Sequence, residues 1–233
     1  MNIVITAGGT TEKIDDVRVI SNNSTGRLAK EIANGFLEAD ENDIENIYYL
    51  CGKSAERINS DKVENISIEG VDNLLSQLNF LLSTKKIDAV IHAMAVSDYT
   101  VNYILACDET GEHKVDADKK ISSEIEEIKI VLKKTPKVIG QIKKIKEDVV
   151  LVGFKLLSKV PHEELIDVGF GLLNKNRCDF VMANDLSEIT ESGHVGYLIS
   201  PDKSYVKMNT KKEIAEIIVK NVVESVKNKE KCK

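Results

Sequence analysis

The sequence predicts a doubly wound α/β domain in which helices cover both faces of a mainly parallel sheet. Short apolar segments alternate with amphipathic ones along the chain, a pattern typical of right-handed βαβ units. Several apolar segments are continuous, as expected for strands that are buried on both faces. Only three prolines occur among the 233 residues, and no linker rich in glycine, serine or proline interrupts them. We therefore expect one Rossmann-like domain over residues 1–233, with a C-terminal β-hairpin.

The first predicted unit, within residues 3–36, consists of a strand, a glycine-bearing turn and an amphipathic helix. Glycine lets backbone N–H groups approach an anion, and a helix N-terminus adds partial positive charge. The unit therefore predicts a phosphate site with candidate residues in the turn and before the helix: Gly8, Gly9, Thr10, Ser24 and Gly26. The loop between them is longer than a structural connection needs, and it carries Arg18 and Asn22. A long polar loop at this position favours a functional role.

The next elements continue the alternation of strands and helices. Strands are predicted at residues 44–51, 63–68 and 88–92, and a helix at residues 71–82. Residues 94–123 are the least regular stretch of the chain, and we expect an irregular and largely solvated flap there. Because this flap follows a buried strand, its first residues should lie at the carboxyl edge of the sheet.

The second half of the chain has the same organisation and ends in antiparallel structure. Strands are predicted at residues 127–133, 149–154 and 178–183, and helices from Pro136 onward and over residues 162–175. Residues 195–200 and 204–208 predict a hairpin. A final amphipathic helix follows, and residues 229–233 are expected to fray.

Four predicted strands deliver polar residues to one edge of the sheet. In open α/β sheets, ligands bind outside the carboxyl ends of the strands. The segments brought there are Gly8-Gly9-Thr10, residues 95–99, Phe154-Lys155 and Asn184-Asp185. The sequence therefore predicts a single binding site at this edge.

Composition restricts the partners of this site. The formal net charge of −6 and the pI near 5.4 argue against non-specific nucleic-acid binding, which requires a basic surface. Cys51, Cys107, Cys178 and Cys232 form no CxxC pair, and we interpret them as reduced thiols of a cytoplasmic protein. The sequence shows no signal peptide and no apolar segment of membrane-spanning length, so we expect no membrane partner.

The motif inventory indicates chemistry without a histidine base. HExxH, GxSxG and GxxxxGK(S/T) are all absent, and the four histidines are scattered along the chain. Such an inventory favours a reaction that depends on positioning and on stabilisation of negative charge. An anionic nucleotide would be bound by local cations, because the chain as a whole is acidic.

Five segments together resemble phosphopantothenoylcysteine synthetase, a ligase of coenzyme A biosynthesis. The first is GGTTEKIDDVRVISNNSTGRLA at residues 8–29. The others follow in the family's order: AVSDY at 95–99, KISS at 120–123, GFKL at 153–156 and AND at 183–185. The resemblance spans nearly the whole chain and agrees with the monofunctional bacterial type, which lacks a fused flavin decarboxylase domain.

The resemblance implies a two-step ligation of 4′-phosphopantothenate to L-cysteine. The substrate carboxylate attacks the α-phosphate of a nucleoside triphosphate, which releases pyrophosphate and forms an acyl-nucleotide. The cysteine amine then attacks the acyl carbon and releases the nucleoside monophosphate. Mg²⁺ would be held mainly by the nucleotide phosphates and not by side chains. The resemblance also implies a homodimer and, as a separate partner, a phosphopantothenoylcysteine decarboxylase.

The same resemblance implies roles for individual residues. Asn22 would bind the acyl-nucleotide through its side-chain amide, and Arg18 and Lys120 would complete the catalytic set. The implied substrate-binding residues are Asn22, Ala95 and Asn184. The implied nucleotide-binding residues are Gly8, Gly9, Thr10, Ser24, Gly26, Ala93, Met94, Asp98, Lys120, Pro136, Lys137, Val138, Ile139, Phe154 and Lys175.

Departures from the family pattern concern the phosphate-binding lysines and the choice of nucleotide. KISS replaces the bacterial KxKK motif, so Ser122 and Ser123 stand where the later part of that motif lies. Gly171 replaces a lysine one helical turn before Lys175. GFKL resembles the eukaryotic enzymes, which use ATP, whereas the bacterial enzymes use CTP. We expect CTP, with ATP as the alternative.

Two other functions remain open. An NAD(P)-dependent Rossmann-type reductase would share the fold, but the predicted second strand ends in YLCG at 49–52 without the acidic residue that binds ribose. A non-catalytic, nucleotide-binding regulatory subunit is the second alternative. Asn22, Asp98 and Lys120, which are all present, argue against it.

Overall fold

The computed structural model describes residues 1–39, 44–109, 111–190 and 193–231. Its strands are β1 (Asn2–Ala7), β2 (Thr11–Lys13), β3 (Val19–Ser21), β4 (Asn46–Gly52), β5 (Val63–Ile68), β6 (Ala89–His92), β7 (Tyr99–Asp108), β8 (Gly111–Val115), β9 (Glu127–Lys134), β10 (Val150–Leu157), β11 (Phe180–Asp185), β12 (Gly196–Ile199) and β13 (Tyr205–Met208). Its α-helices are α1 (Arg27–Glu38), α2 (Val71–Thr84), α3 (Ile139–Ile145), α4 (His162–Asn176) and α5 (Lys211–Lys231).

The central sheet has the strand order β13-β12-β11-β10-β6-β1-β4-β5. The strands from β11 to β5 are parallel, and β12 and β13 add the predicted antiparallel hairpin at one edge. Counted along the chain, the six parallel strands have the spatial order 3-2-1-4-5-6, which is that of dinucleotide-binding sheets. The predicted fold class is confirmed. The order reverses between β1 and β6, and ligands bind at such a reversal.

Apolar side chains fill one layer on each face of the sheet. On one face, Phe36 of α1 and Ile218 of α5 are fully buried. On the other face, Leu74 of α2, Ile142 of α3 and Leu173 of α4 occupy the second layer. All six residues of β1 are buried, as expected for a strand that is covered on both sides. The hydrophobic effect therefore fixes the sheet, and with it the positions of the loops at its carboxyl edge.

The prediction of an irregular flap at residues 94–123 is wrong, because this segment contains two strands. β7 and β8 lie within it and pair with β9 in a separate antiparallel sheet of order β8-β7-β9. Many of its side chains are exposed and charged, for example the pair Lys129–Glu112. In β8, exposed charged residues leave no apolar alternation on which a strand prediction could depend. Thr110, which belongs to the predicted flap, lies outside the residues that the structure describes.

The predicted fraying of residues 229–233 is wrong for the part of this segment that the structure describes. α5 continues to Lys231, and Lys229 Nζ lies 2.8 Å from Asp179 Oδ1 and 3.3 Å from the carbonyl oxygen of Asp148. The same aspartate accepts from Lys143 Nζ at 2.9 Å. This charge cluster anchors the last turns of α5 at the amino edge of the sheet. Residues 232 and 233, including Cys232, lie outside the described residues.

Cys51, Cys107 and Cys178 are free thiols. Burial raises the pKa of Cys178 to about 12 and also raises the pKa of Cys51. Because the thiolate is the reactive form, these two side chains are packing residues and not nucleophiles. Within the ranges that the structure describes, no helix is long and apolar enough to cross a membrane.

At the carboxyl end of β1, the chain segments that carry Gly9, Asn22 and Gly52 approach one another closely. Two of these segments require glycine. A Cβ atom at Gly52 would lie 2.2 Å from the carbonyl oxygen of Gly9. A Cβ atom at Gly9 would lie 2.4 Å from the carbonyl oxygen of Asn22. Both obstacles are backbone atoms, which cannot turn aside as a flexible side chain can. An added methyl group must therefore move a whole loop.

We predict that Gly52→Ala lowers the free energy of unfolding by about 1–3 kcal/mol, the usual cost of overpacking. Gly171→Ala is the matched control, because its Cβ would meet nothing within 4 Å and alanine favours the helix. Urea unfolding of both variants and the wild type measures the difference. Equal stability of Gly52→Ala and Gly171→Ala would show that the three segments are not closely packed.

Candidate functional site

The loops that follow β1 and β6 are joined where the strand order reverses. The backbone N–H of Thr10 donates to Ala95 O at 3.1 Å, and that of Ala95 donates to Gly8 O at 2.8 Å. Thr10 Oγ1 donates to Ser97 Oγ at 2.9 Å and accepts from the Ser97 N–H at 2.9 Å. These bonds hold the two loops in one rigid junction, which we call the β1–β6 junction.

Asn22 is bound into the β1–β6 junction through its side-chain amide. Asn22 Nδ2 donates to Ala95 O at 3.0 Å and to Ser97 Oγ at 3.3 Å. A carbonyl oxygen can only accept, so the nitrogen must face Ala95 and Asn22 Oδ1 must face away from it. Both amide hydrogens are therefore used within the chain. The implied contact of this amide with a ligand stays a prediction, and the side-chain oxygen faces away from Ala95.

Ser97 was missed by the sequence analysis, although it immediately precedes Asp98. Its Oγ accepts from both Thr10 and Asn22, and its own hydroxyl hydrogen has no partner in the part of the chain that the structure describes. The side chain is buried, yet it lines a cavity. The Ser97 hydroxyl is thus a donor that is available to a ligand.

A cavity of about 470 Å³ opens between β6, β10 and the turn before α3. We call it the nucleotide cavity after the residues lining it for which the resemblance implied nucleotide binding. Its volume is in the range of small-molecule sites. Eight of the predicted nucleotide-binding residues line it: Met94, Asp98, Pro136, Lys137, Val138, Ile139, Phe154 and Lys175. Pro136 to Val138 form a turn before α3, which begins three residues later than Pro136 and leaves their backbone at the cavity wall.

The nucleotide cavity carries an excess of positive charge in an acidic chain. Lys137 pairs with Asp98. Lys155 and Lys175 also line the cavity, and neither has an ion-pair partner among the residues described. Phosphate groups are attracted to such an excess of cations. Lys155 follows Phe154 in β10 and lines the cavity with it, but Lys155 was not among the predicted binding residues.

A second cavity of about 780 Å³, the α1 cavity, adjoins the first. The two share Met94, Ala95, Phe154 and Leu156 as a common wall. The α1 cavity is also lined by four predicted residues, Ser24, Gly26, Ala93 and Asn184, and by two cationic residues that sequence reasoning missed, Arg27 and Lys211. Lys211 is the first residue of α5, and only the tertiary fold brings it to the start of α1.

Six predicted residues line neither of these two cavities: Gly8, Gly9, Thr10, Arg18, Asn22 and Lys120. Residues 8–10 are buried because the loop that carries Asn22 folds back over them. Arg18 lies in the turn between β2 and β3, and Lys120 is exposed in the segment between β8 and β9. Their contact with a ligand stays a prediction.

The family model for the DNA/pantothenate metabolism flavoprotein C-terminal domain matches residues 1–226. The chain belongs to this family. The coenzyme A biosynthesis bifunctional protein CoaBC of Thermococcus kodakarensis is 31% identical over 216 residues, which are 92% of this chain and 49% of that protein. The CoaBC of Methanocaldococcus jannaschii is 31% identical over 235 residues, which are 97% of this chain and 51% of that protein. The chain spans about half the length of these relatives.

Solved structures give the same result. The DNA/pantothenate metabolism flavoprotein from Streptococcus pneumoniae has a TM-score of 0.85 and 33% identity, with 95% of this chain and 98% of that chain covered. The C-terminal domain of a CoaBC has a TM-score of 0.72 at 22% identity, over 97% of this chain and 96% of that chain, and shows the shared fold. The resemblance to phosphopantothenoylcysteine synthetases that the motifs indicated is confirmed at the level of the family.

In this member of the family, the histidines beside the two cavities are held in the neutral form. Burial lowers the pKa of His92 to about 4, and His92 Nδ1 lies 3.0 Å from Thr6 Oγ1. Burial, and after it the Lys211 ammonium, lowers the pKa of His194 to about 4. His194 Nε2 lies 3.4 Å from Asn184 Nδ2. With pKa values this low, neither imidazole is a strong base at neutral pH.

Asn184 and Asp185 have different positions although they are adjacent in β11. Asn184 lines the α1 cavity, whereas Asp185 accepts from the N–H groups of Ser187 at 2.7 Å, Val160 at 2.9 Å and Lys159 at 3.0 Å. The side-chain hydrogen bond from Ser187, followed by these backbone bonds, holds the pKa of Asp185 well below its usual range. Asp185 therefore fixes the loops after β10 and β11, and Asn184 is the residue available to a ligand.

Few groups that could bind a metal ion line the nucleotide cavity among the residues described. No cluster of three or more His, Cys, Asp or Glu side chains suitable for a metal ion occurs in the described ranges. Asp98 is the only carboxylate among the described residues that line the nucleotide cavity, and Lys137 is paired with it. A Mg²⁺ ion that arrives bound to nucleotide phosphates fits this set, because Mg²⁺ commonly uses few protein ligands beside substrate phosphates.

We predict that the free energy of unfolding falls as the pH is lowered from about 6.5 to about 4. A histidine whose pKa is lowered by folding binds its proton first in the unfolded state, so acid favours unfolding. For His92 the loss is on the order of 3 kcal/mol. Urea unfolding at several pH values measures it, and His92→Asn should weaken the pH dependence. An identical pH dependence for His92→Asn would contradict the assignment.

Proposed function

We propose that this chain ligates 4′-phosphopantothenate to L-cysteine through an acyl-nucleotide intermediate, as a step of coenzyme A biosynthesis. Membership of the family supports the class of reaction. The observation that carries the proposal is the pair of adjoining cavities with a shared wall. Eight of the predicted nucleotide residues line one cavity, Asn184 lines the other, and Ala95 lies in the wall between them. Ser24, Gly26 and Ala93, which the resemblance implied for the nucleotide, line the second cavity. Two reactants bound in adjoining cavities can react where the cavities meet, because binding holds them close together.

The nucleotide is assigned to the cavity that carries the excess of lysine. Lys155 and Lys175 would meet the phosphates, and the backbone of residues 136–139 would contact the base. CTP is the proposed nucleotide, with ATP as the alternative. Mg²⁺ would be bound to the triphosphate and would neutralise part of its charge.

The phosphopantothenate is assigned to the α1 cavity. Its phosphate suits the start of α1, where free backbone N–H groups and the helix dipole favour an anion. Arg27 and Lys211 add positive charge there, and Asn184 adds an amide. The carboxylate at the other end of the substrate would then lie near Ala95, at the wall shared with the nucleotide.

The chemistry would proceed without a proton-shuttling imidazole. The carboxylate attacks the α-phosphate and displaces pyrophosphate, and the cysteine amine then displaces the nucleoside monophosphate. Both steps place negative charge on phosphoryl or carbonyl oxygen, which lysine and hydroxyl donors stabilise. The Ser97 hydroxyl and the Asn22 side-chain oxygen supply one donor and one acceptor at the β1–β6 junction.

The proposal includes a homodimer. Arg18 and Lys120 line neither cavity of the single chain, and a second copy would offer a way to complete the site. Closed twofold association is the commonest form of oligomer. A separate phosphopantothenoylcysteine decarboxylase, which would use the product, is the proposed functional partner.

A direct test is to incubate the protein with phosphopantothenate, cysteine, Mg²⁺ and either CTP or ATP. We expect pyrophosphate release that depends on phosphopantothenate and is faster with CTP. Binding of NADPH without nucleotide turnover would instead support a reductase. Binding of nucleotide without turnover would support a regulatory subunit.

We predict that Asn22→Asp folds but loses most amide formation. The substitution puts a carboxylate oxygen against Ala95 O, where the structure has a donor, and it adds negative charge where the reaction develops more. Negative charge beside the developing negative charge opposes the transition state, and an electrostatic change of this kind in an active site commonly lowers kcat by about 100- to 1,000-fold. Steady-state formation of phosphopantothenoylcysteine measures the effect. Asn79→Asp, an exposed change in α2, is the control; a rate for Asn22→Asp that matches this control would contradict the assignment.

A further inference from the structure

Asp15 is a fully buried carboxylate in the turn between β2 and β3, and the proposed reaction does not use it. Its Oδ1 accepts from the N–H groups of Val17 at 2.8 Å and Arg18 at 2.6 Å. Its Oδ2 accepts from Arg18 Nη1 at 2.8 Å and from the N–H of Ile121 at 3.1 Å. Four donors thus converge on a group that can only accept.

Ile121 connects this turn to the distant segment between β8 and β9. It is 106 residues away from Asp15 in the sequence, and its side chain is buried. Its carbonyl oxygen accepts from Arg18 Nη1 at 3.3 Å. Because Lys120 directly precedes Ile121, the backbone beside Lys120 is held against Arg18 by hydrogen bonds that all include Asp15 or Arg18.

A second buried carboxylate attaches the antiparallel ribbon of β2 and β3, which carries the Asp15 turn, to the three-stranded sheet. Glu12, in β2, accepts from Thr100 Oγ1 at 2.6 Å and from the N–H of Val71 at 3.0 Å. Thr100 lies in β7, which pairs with β8 and β9. Glu12 binds Thr100 near the start of β7, and Asp15 binds Ile121, which follows β8 in the chain. The ribbon is therefore attached both to the three-stranded sheet and to the segment between β8 and β9.

We propose that Asp15 is a positioning residue that holds Arg18 and residues 119–123, the Lys120 segment, in one fixed arrangement. The catalytic consequence rests on the proposed function, whereas the physical link does not. Asp15 touches no substrate; it acts through Arg18 and Ile121. A carboxylate is needed because asparagine would turn an N–H group toward donors that require an acceptor.

The ionisation of Asp15 agrees with this role. Burial alone would raise the pKa of Asp15, but the N–H groups of Arg18, Val17 and Ile121 and the Arg18 guanidinium outweigh it and lower the pKa to about 2. A carboxyl whose pKa is lowered by folding contributes fully above its unfolded pKa of about 3.9. The link is therefore present at neutral pH and is lost only in strong acid.

The test compares Asp15→Asn with Asp16→Asn. The control removes the same charge from the adjacent, exposed position. Two quantities are measured in each variant and in the wild type: amide hydrogen exchange over the Lys120 segment, and kcat and KM for the nucleotide. The exchange measurement needs no activity, so it tests the link even if the wild type releases no pyrophosphate and the proposed ligase function fails.

We expect Asp15→Asn to speed exchange over the Lys120 segment by about tenfold or more and to lower kcat by about tenfold to 100-fold, as misplacement of catalytic groups does. KM for the nucleotide should change by less than about twofold, because the nucleotide cavity is formed by other residues. Asp16→Asn should match the wild type in both. A residue that merely stabilised the fold would instead change kcat, KM and exchange in all regions together.

A second pair of variants tests the same link from its other end. Ile121→Pro removes the N–H that donates to Asp15, and Ile121→Val keeps it together with a buried apolar side chain. The proline variant should reproduce the fall in kcat and the valine variant should not. Exchange over the Lys120 segment that is equal in Asp15→Asn and Asp16→Asn, or full activity of Ile121→Pro, would overturn the proposal.

Discussion

The whole arrangement depends on one constraint: the loops after β1 and β6 must meet where the order of the parallel strands reverses. Burial of β1 on both faces fixes the first loop, and the β1–β6 junction joins it to the second. Glycine at positions 9 and 52 allows the backbones to approach within contact distance. Many cavity-lining segments then follow from a strand end or a helix end whose position the central sheet already determines.

The local charge of the nucleotide cavity is opposite in sign to the net charge of the chain. The chain has a net charge of −6, yet the nucleotide cavity contains three lysines and one aspartate. Carboxylates elsewhere are used as structural acceptors: Glu12, Asp15 and Asp185 each bind backbone N–H groups from separate segments. Buried acids thereby hold loops in place, while the cations of the two cavities remain exposed to ligands.

The sequence predicted the central sheet and part of the site because both depend on local signals. Continuous apolar segments identified β6, β10 and β11, and the motifs placed Asp98 and Phe154 at the correct edge. The strand β8 was missed because its exposed, charged residues carry no apolar period. The strand β7 was missed although Tyr99, Val101 and Tyr103 alternate with polar residues at its start. The position of Lys211 at the α1 cavity and the hydrogen bonds of Asp15 could not be predicted, for a different reason. They depend on contacts between segments far apart in the chain, which no local pattern records.

The anchoring of α5 has a geometric consequence for anything attached to the protein. Lys229 meets Asp148 and Asp179 just before the amino ends of β10 and β11, and Asn2 begins β1 on that same side. Both described ends of the polypeptide therefore emerge on the side of the molecule opposite the two cavities. A tag, a solid support or an additional domain joined at either end would leave the cavity mouths open to freely diffusing small molecules.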